Sequence, residues 1–205
     1  MKYKAIIFDV DGTLLDTEKS VITSLTETLL EVEGRTYAYE DLFFALGIPG
    51  KKAMEILEIQ NTDTFMKHWL KLDHDYEYMN AVFPGIQEVL KALKEQGVRL
   101  GVVTSRERSE YDRFLELYDL GDYFEVASCA GEAAHSKPAP DPLLNVLEQL
   151  NVAPSEALYV GDAVYDMLCA DSAGADGALG LWGACQPDKI SATYKLESPL
   201  DILDL

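Results

Sequence analysis

A short apolar run that ends in two aspartates constrains the fold of this chain more than any other stretch. Residues 5–8 are all apolar, and Asp9 and Asp11 follow, one residue apart, before a Gly12-Thr13 turn. A continuous apolar run bounded by a turn signal is typical of a buried parallel strand. In open α/β sheets, ligands bind outside the carboxyl ends of such strands. The pattern therefore predicts a binding crevice at Asp9 and Asp11, rather than surface aspartates that merely close a strand.

Strand and helix patterns alternate in the C-terminal part of the chain. After residue 84 the strand-like runs cover 98–104, 124–128 and 157–161, with 177–181 as the candidate for a last strand. Helical spacing of apolar residues covers 86–97, 107–118, 141–150 and 165–173. Such alternation predicts an α/β fold, a Rossmann-like core of three layers in which helices cover both faces of a mostly parallel sheet.

The segment from residue 17 to residue 83 has a different pattern. Apolar residues recur there at helical spacing, without a strand pattern, over 17–32, 40–46, 51–59 and 63–82. We therefore predict an all-helical domain at 17–83, inserted into a core formed by 1–16 and 84–205. Asp16 and the Phe83-Pro84-Gly85 stretch would serve as its two hinges.

Net charge and cysteine content restrict the partners. With 17 Lys and Arg against 36 Asp and Glu, the formal net charge of -19 disfavours nucleic acid and anionic membranes as partners. An anionic substrate would need a local divalent cation among the carboxylates. The three widely spaced cysteines form no CxxC pair, and we find no signal peptide or membrane-spanning stretch. Together these features predict a cytoplasmic protein with reduced thiols.

Four motifs in chain order resemble the signatures of the haloacid dehalogenase-like hydrolase superfamily. They are Asp-Val-Asp-Gly-Thr at 9–13, Thr104 at a strand end, Lys137-Pro138, and Gly-Asp-Ala-Val-Tyr-Asp at 161–166. The closest likeness is to phosphatases with a small helical cap, the phosphoglycolate phosphatase and β-phosphoglucomutase group. The resemblance covers essentially the whole chain. It implies a Mg²⁺-dependent phosphatase that hydrolyses a small phosphorylated metabolite.

The resemblance also implies roles for the acidic residues. Asp9 would be the nucleophile that forms an aspartyl-phosphate. Asp11 would be the general acid and base, with a pKa raised by the surrounding carboxylates. Mg²⁺ would be held by Asp9, the backbone carbonyl of Asp11 and Asp162, while Asp166 binds the metal through water or braces its ligands. The alternative for Asp162 and Asp166 is that they cap the helix that begins near Ala163.

The remaining site residues would bind the phosphoryl group. The resemblance assigns this role to Gly12, the Thr104 hydroxyl, the backbone N–H groups of Ser105 and Arg106, and Lys137. Lys137 would also offset the repulsion between Asp9 and the phosphate; its alternative is a solvated loop lysine. The Arg106 side chain either assists substrate binding or lies on the surface.

Several functional alternatives stay open at this point. Asp11 argues against carbon–halogen chemistry, because haloacid dehalogenases lack this second aspartate. β-Phosphoglucomutase-like mutases carry a histidine where this chain has Val21. They also carry an arginine after a glycine in the cap loop, where this chain reads Leu46-Gly47-Ile48-Pro49-Gly50-Lys51-Lys52. These departures favour a hydrolase over a phosphomutase. A pyrophosphatase, or a binding protein of the same fold without turnover, is also compatible with the sequence, as is a monomer or a weak homodimer.

Side chains of the helical segment are expected to have structural roles. We predict that His68 and Trp69 pack within that segment or lie on its surface, and that Asp73 and Asp75 are solvated. Lys51 or Lys52 either reaches a second anionic group of the substrate or simply begins a helix.

Overall fold

A computed structural model describes residues 2–205 of the chain. The eight strands are β1 (Ala5–Phe8), β2 (Leu15–Asp16), β3 (Ala81–Val82), β4 (Arg99–Val103), β5 (Val126–Ser128), β6 (Ala157–Gly161), β7 (Asp176–Gly180) and β8 (Tyr194–Leu196). The α-helices are α1 (Glu18–Glu33), α2 (Gly50–Ile56), α3 (Thr62–Asp75), α4 (Ile86–Glu95), α5 (Arg108–Tyr118), α6 (Asp141–Leu150) and α7 (Val164–Ala173). Short 3₁₀ helices cover Tyr39–Ala45, Glu77–Met79, Pro154–Glu156, Pro187–Lys189 and Pro199–Asp204.

The main sheet has six strands in the order β5-β4-β1-β6-β7-β8, and every neighbouring pair is parallel. Successive side chains of β1 point to opposite faces, as strand geometry requires. Ile6 and Phe8 pack with residues of α4 and α5, whereas Ile7 packs with residues of α6 and α7. Helices thus cover both faces, which confirms the predicted Rossmann-like α/β core.

A helical insert (residues 17–80) separates β2 from β3. Its helices α1 and α3 pack against each other around a separate apolar cluster that includes Ile22, Leu25 and Phe65. Trp69 is buried in this cluster, and its indole N–H donates to Ser24 Oγ at 3.0 Å. The predicted packing role of Trp69 is therefore confirmed.

The prediction of an insert without strands is wrong at its end. The last α-helix ends at Asp75 rather than at residue 82, with a short 3₁₀ helix at Glu77–Met79 after it. β3 pairs antiparallel with β2 through Leu15–Val82 and Asp16–Ala81. Two residues are too few to show a period of two, so only the pairing across the insert reveals these strands. β2 and β3 form a two-stranded antiparallel ribbon, which connects the segment that enters the insert with the segment that leaves it. The division into two domains at residues 16 and 84 stays a prediction.

The C-terminal edge of the sheet also differs from the prediction. The expected last strand at 177–181 is β7, and a further strand, β8, pairs beyond it through Leu179–Lys195. β8 has three residues and forms the edge of the sheet, so its sequence has no continuous apolar run to indicate a strand. Among residues 2–205, no helix is long and apolar enough to cross a membrane.

Gly101 on β4 allows α6 to pack closely on the sheet, and its substitution tests this packing. A Cβ there would lie 2.7 Å from Val146 Cγ1 and 3.1 Å from Ile7 Cδ1. We expect Gly101→Ala to lower the free energy of unfolding by about 1–3 kcal/mol through overpacking. Urea denaturation measures this change. Gly121→Ala is the control, because a Cβ at this position would lie 4.0 Å from Leu115 Cβ, which is an ordinary van der Waals contact. Equal midpoints for the two variants would contradict the packing argument.

Candidate active site

Three carboxylates meet at the carboxyl edge of the main sheet. Asp9 follows β1 and Asp162 follows β6, and these strands are paired in register through Phe8–Val160. Asp166 lies in the first turn of α7. One carboxylate oxygen from each residue lies within 4.8 Å of the other two, and all three residues are buried. This carboxylate cluster (Asp9, Asp162 and Asp166) brings together three of the four acidic site residues that the sequence singled out.

Lys137 supplies the ammonium group of the cluster. Its Nζ lies 3.1 Å from Asp9 Oδ1 and 2.7 Å from Asp166 Oδ1, and its side chain is 4% exposed. Burial opposes the charge of Lys137, but Asp166 and Asp9 outweigh it and raise the pKa of the ammonium group. The alternative of a solvated loop lysine is therefore wrong.

The ionised form of Asp9 is disfavoured by its surroundings. Burial is the main cause, and the negative charges of Asp166 and Asp11 act in the same direction, against the opposing charge of Lys137. Together they raise the pKa of Asp9 to about 7. Burial, with the charges of Asp166 and Asp9, likewise raises the pKa of Asp162. Both shifts indicate that this buried site disfavours the ionised form of these two carboxylates.

The turn after β1 fits closely against Asp162. Thr13 Oγ1 donates a hydrogen bond to Asp162 Oδ1 at 3.1 Å. Gly12 has a φ of 78°, in the left-handed region, and a Cβ at this position would overlap the Asp162 carboxylate. The predicted site residue Gly12, which has no side chain, therefore leaves space for the Asp162 carboxylate. Sequence reasoning did not identify Thr13 as the partner of Asp162.

Asp166 is held by hydrogen bonds on both oxygens. Oδ1 accepts from Lys137 and from the Tyr159 hydroxyl at 2.9 Å, and Oδ2 accepts from the backbone N–H of Ala163 at 3.0 Å. The helix-capping alternative therefore describes part of what Asp166 does. Tyr159 was not predicted as a site residue. The available signal was its hydroxyl, because a tyrosine inside a buried strand needs a hydrogen-bond partner.

Asp11 forms a bidentate pair with Arg106 at the mouth of the site. Arg106 Nε lies 2.8 Å from Asp11 Oδ2, and Nη2 lies 2.7 Å from Oδ1. Burial alone would raise the pKa of Asp11, but the charge and hydrogen bonds of Arg106 outweigh it and lower the pKa below its usual value. The expectation that carboxylates raise this pKa is wrong, because a guanidinium contacts Asp11 directly. The Arg106 side chain accordingly belongs to the site.

The predicted phosphate-binding residues lie beside the carboxylate cluster. Thr104 follows β4 and is buried, and its Oγ1 accepts a hydrogen bond from the backbone N–H of Arg106 at 3.1 Å. Ser105 lines the same cavity as Thr104, Asp9 and Lys137. The geometry therefore groups these residues at one edge of the sheet, while their contact with a phosphoryl group stays a prediction.

A cavity of about 920 Å³ lies between this edge and the helical insert. That volume suits a small-molecule ligand. Val21, Lys51 and Asp73 line the cavity from the insert side. Asp73 is half-buried rather than solvated, and burial, followed by the charge of Asp11, raises its pKa to about 6. The earlier assignment of Asp73 to solvent is therefore wrong.

The donor atoms of the cluster fit a hard divalent cation. Three carboxylates and one ammonium leave two formal negative charges without a counter-charge. Carboxylate oxygens are the ligands that Mg²⁺ takes in proteins, usually one or two of them together with waters. Asp9 and Asp162 have the freer oxygens, since the oxygens of Asp166 already accept hydrogen bonds from Lys137, Tyr159 and Ala163.

Comparison with known proteins places the chain among hydrolases. The family model described as haloacid dehalogenase-like hydrolase matches residues 6–179. A protein of Caldanaerobacter subterraneus, provisionally named pyrophosphatase PpaX, is 33% identical over 183 residues, which are 89% of this chain and 83% of the relative. The pyrophosphatase PpaX of Bacillus cereus is 27% identical over 209 residues, covering 100% of this chain and 97% of the relative.

Solved structures agree with this likeness. A Lactobacillus plantarum protein, provisionally named phosphoglycolate phosphatase, superposes with a TM-score of 0.89 at 31% identity, over 100% of this chain and 99% of that chain. A hydrolase of Geobacter sulfurreducens superposes with a TM-score of 0.73 at 29% identity, over 98% of each chain.

Removing the ammonium of Lys137 tests the electrostatic balance of the cluster. Lys137→Met leaves Asp9 and Asp166 buried without their counter-charge, so we expect the free energy of unfolding to fall by about 3 kcal/mol or more. Urea denaturation in the presence of EDTA measures this loss. Lys52→Met is the matched control, because Lys52 forms an exposed pair with Glu55, and we expect it to leave the midpoint unchanged. A Lys137→Met midpoint equal to that of the wild type would contradict the argument.

Proposed function

The chain belongs to the haloacid dehalogenase-like hydrolases, and from that premise we propose that it is a Mg²⁺-dependent phosphatase. The proposed substrate is a small phosphorylated metabolite of the cytoplasm, cleaved through an aspartyl-phosphate on Asp9. The observation that carries the proposal is the contact of Lys137 Nζ with Asp9 Oδ1 at 3.1 Å inside the buried carboxylate cluster. This arrangement holds a carboxylate nucleophile beside a cation that attracts a phosphoryl group.

The reaction uses Asp9 twice. In the first step an oxygen of Asp9 bonds to phosphorus, and the bond from phosphorus to the leaving oxygen breaks. In the second step a water oxygen bonds to the same phosphorus, which releases orthophosphate and restores the Asp9 carboxylate. Lys137 and the Thr104 hydroxyl bind the phosphoryl oxygens throughout, since both groups line the cavity next to Asp9.

Asp11 transfers the protons in this scheme. It donates a proton to the leaving oxygen in the first step and takes one from the attacking water in the second. Arg106 pairs with both oxygens of Asp11 and lowers its pKa, so the pair has to open and Asp11 has to take up a proton from water before it can donate one to the leaving oxygen.

Asp9 and Asp162 would hold the Mg²⁺, with the backbone carbonyl of Asp11. When bound, the ion neutralises charge between the phosphoryl group and the carboxylates. Two features of the cavity wall favour a hydrolase over a phosphomutase. Val21 stands where the resembled mutases carry a histidine, and residues 46–52 include no arginine where those mutases carry one. Val21 and residues 46–51 line the cavity.

Phosphate release from an aryl phosphate tests the proposed phosphatase. We expect the wild type to hydrolyse p-nitrophenyl phosphate with Mg²⁺ and to lose this activity in EDTA. Asp9→Asn removes the nucleophile with little change of shape, so we expect kcat to fall by about 10⁴-fold or more.

Asp75→Asn is the matched control, because it makes the same chemical change at an exposed position of the insert and should leave kcat unchanged. Near-wild-type release by Asp9→Asn would contradict the nucleophile assignment. If the wild type released no phosphate from any phosphorylated metabolite tested, a binding protein without turnover would replace the proposed enzyme.

The Arg106–Asp11 pair favours a second candidate, pyrophosphatase activity. A leaving group with its own negative charge offers Arg106 a replacement partner as Asp11 moves to the leaving oxygen. Inorganic pyrophosphate has such a leaving group, and two of the relatives described above are named as pyrophosphatases. We therefore propose that anionic leaving groups are preferred over neutral ones.

Substitution of Arg106 tests this preference. For Arg106→Met we expect kcat/KM for pyrophosphate to fall by about 50-fold, the size expected for losing hydrogen bonds to a charged group. The loss on p-nitrophenyl phosphate should be much smaller, because its leaving group has no second anion. Arg113→Met is the control, since Arg113 lines the same cavity but pairs with Glu77. Equal losses on the two substrates would contradict the proposed role.

A further inference from the structure

We infer that Tyr159 is a positioning residue of the phosphate site, whose buried hydroxyl holds Asp166 so that Asp166 directs Lys137 towards Asp9. The inference rests on the proposed function, because it concerns how Lys137 is held for phosphoryl transfer. It adds a residue that lies outside the four sequence motifs and does not line the cavity.

The position of Tyr159 in the sheet places its hydroxyl beneath the catalytic edge. Tyr159 lies on β6, is fully buried, and is paired in register with Ile7 of β1. Its hydroxyl lies 2.9 Å from Asp166 Oδ1 and 3.2 Å from the backbone carbonyl oxygen of Val103 on β4. β1 lies between β6 and β4 in the sheet, so the Tyr159 hydroxyl reaches across β1, the strand that precedes Asp9. It connects the end of β4, which precedes Thr104, with the residue that holds Lys137.

The hydroxyl has one proton to share between these two acceptors. The carboxylate oxygen is the nearer acceptor and the charged one, so it forms the stronger hydrogen bond. The same Asp166 Oδ1 accepts from Lys137 Nζ at 2.7 Å. With Tyr159 donating on one side of this oxygen, the ammonium group occupies another side, from which it also reaches Asp9 at 3.1 Å. The direction of the Lys137 ammonium therefore depends on two donors that share one oxygen.

A packing role alone does not account for a tyrosine here. The neighbours of Tyr159 in the apolar layer include Ile7, Val146 and Leu147, against which a phenylalanine ring would pack equally well. The hydroxyl is the feature that phenylalanine lacks, and burying it is favourable only when it is hydrogen-bonded. Both of its acceptors belong to residues beside the proposed phosphate site.

Tyr159→Phe tests the inference because it removes the hydroxyl and keeps the ring. We expect kcat/KM for p-nitrophenyl phosphate to fall by about tenfold, the effect of losing one hydrogen bond to a charged group. Orthophosphate should bind more weakly by a similar factor in calorimetric titrations with Mg²⁺ present. The Mg²⁺ concentration for half-maximal activity should stay within about twofold of wild type, because the Tyr159 hydroxyl bonds to Asp166 and Val103 and not to Asp9 or Asp162.

Tyr3→Phe is the matched control. The Tyr3 hydroxyl also donates to an aspartate, Asp176 Oδ2 at 2.6 Å, but it lies at the opposite end of the sheet. We expect this variant to change thermal stability alone, with kinetics and orthophosphate affinity as in wild type. Both variants lose a hydrogen bond between a tyrosine and an aspartate, but only Tyr159→Phe loses the one to Asp166. A fall in orthophosphate affinity confined to Tyr159→Phe therefore reports on the contact next to Lys137.

Asp166→Asn provides a second route to the same test. If Tyr159 acts through Asp166, orthophosphate affinity falls in Asp166→Asn, and adding Tyr159→Phe lowers it by less than about twofold further. This measurement needs no turnover, and the single variant Asp166→Asn tests, without any change at Tyr159, whether the carboxylate that holds Lys137 sets the orthophosphate affinity.

The outcomes separate the inference from the proposed function. If wild type hydrolyses phosphate esters but Tyr159→Phe keeps wild-type kinetics and orthophosphate affinity, the positioning role is wrong. Fully additive effects of Tyr159→Phe and Asp166→Asn, or a shift confined to the Mg²⁺ requirement, would also overturn it. Absence of hydrolysis by the wild type refutes the proposed function, whereas orthophosphate binding still tests the contact.

Discussion

The buried ammonium of Lys137 between Asp9 and Asp166 is the interaction on which the rest of the site depends. Its side chain and those of both partners are at most 5% exposed, so the charges have left water almost entirely. Such a group is tolerated only with close, well-directed partners, because the desolvation cost of each ion is several kcal/mol. The strand order β4-β1-β6 provides them: it delivers Thr104, Asp9 and Asp162 to one edge, with α7 adding Asp166.

The Arg106–Asp11 pair differs from the Lys137 pair in ways that suit a different task. Arg106 is 19% exposed and Asp11 is 30% exposed, so solvent can replace either partner at much lower cost than inside the cluster. In the proposed mechanism the inner pair would fix Asp9, whereas the outer pair would exchange partners when a substrate enters. The two carboxylates thus differ in burial, although they are only two residues apart in sequence.

Sequence reasoning located Asp9 and Asp162 because each follows an apolar strand, and Lys137 because Lys137-Pro138 stands between the second and fourth motifs of the resembled family. It failed where a strand pairing or a pKa depends on a residue that is distant in the sequence. The β2–β3 ribbon joins Leu15 to Val82, and the pKa of Asp11 is set by Arg106, which no spacing near Asp11 indicates. Tyr159 was missed for the same reason, since a tyrosine in a buried strand has no visible acceptor until the sheet is assembled.

The turn after β1, which precedes the helical insert, is tightly held. The turn at Gly12 and Thr13 is held from two sides: Asp162 accepts from the Thr13 hydroxyl, and the Trp182 indole N–H donates to the Thr13 carbonyl at 3.0 Å. A Cβ at Gly183 would overlap the Gly12 carbonyl, so the segment after β7 packs on this turn without room to spare. The carboxylates therefore have little freedom to adapt to different substrates. We therefore expect selectivity to come from the other cavity wall, to which the helical insert contributes Val21, Lys51 and Asp73.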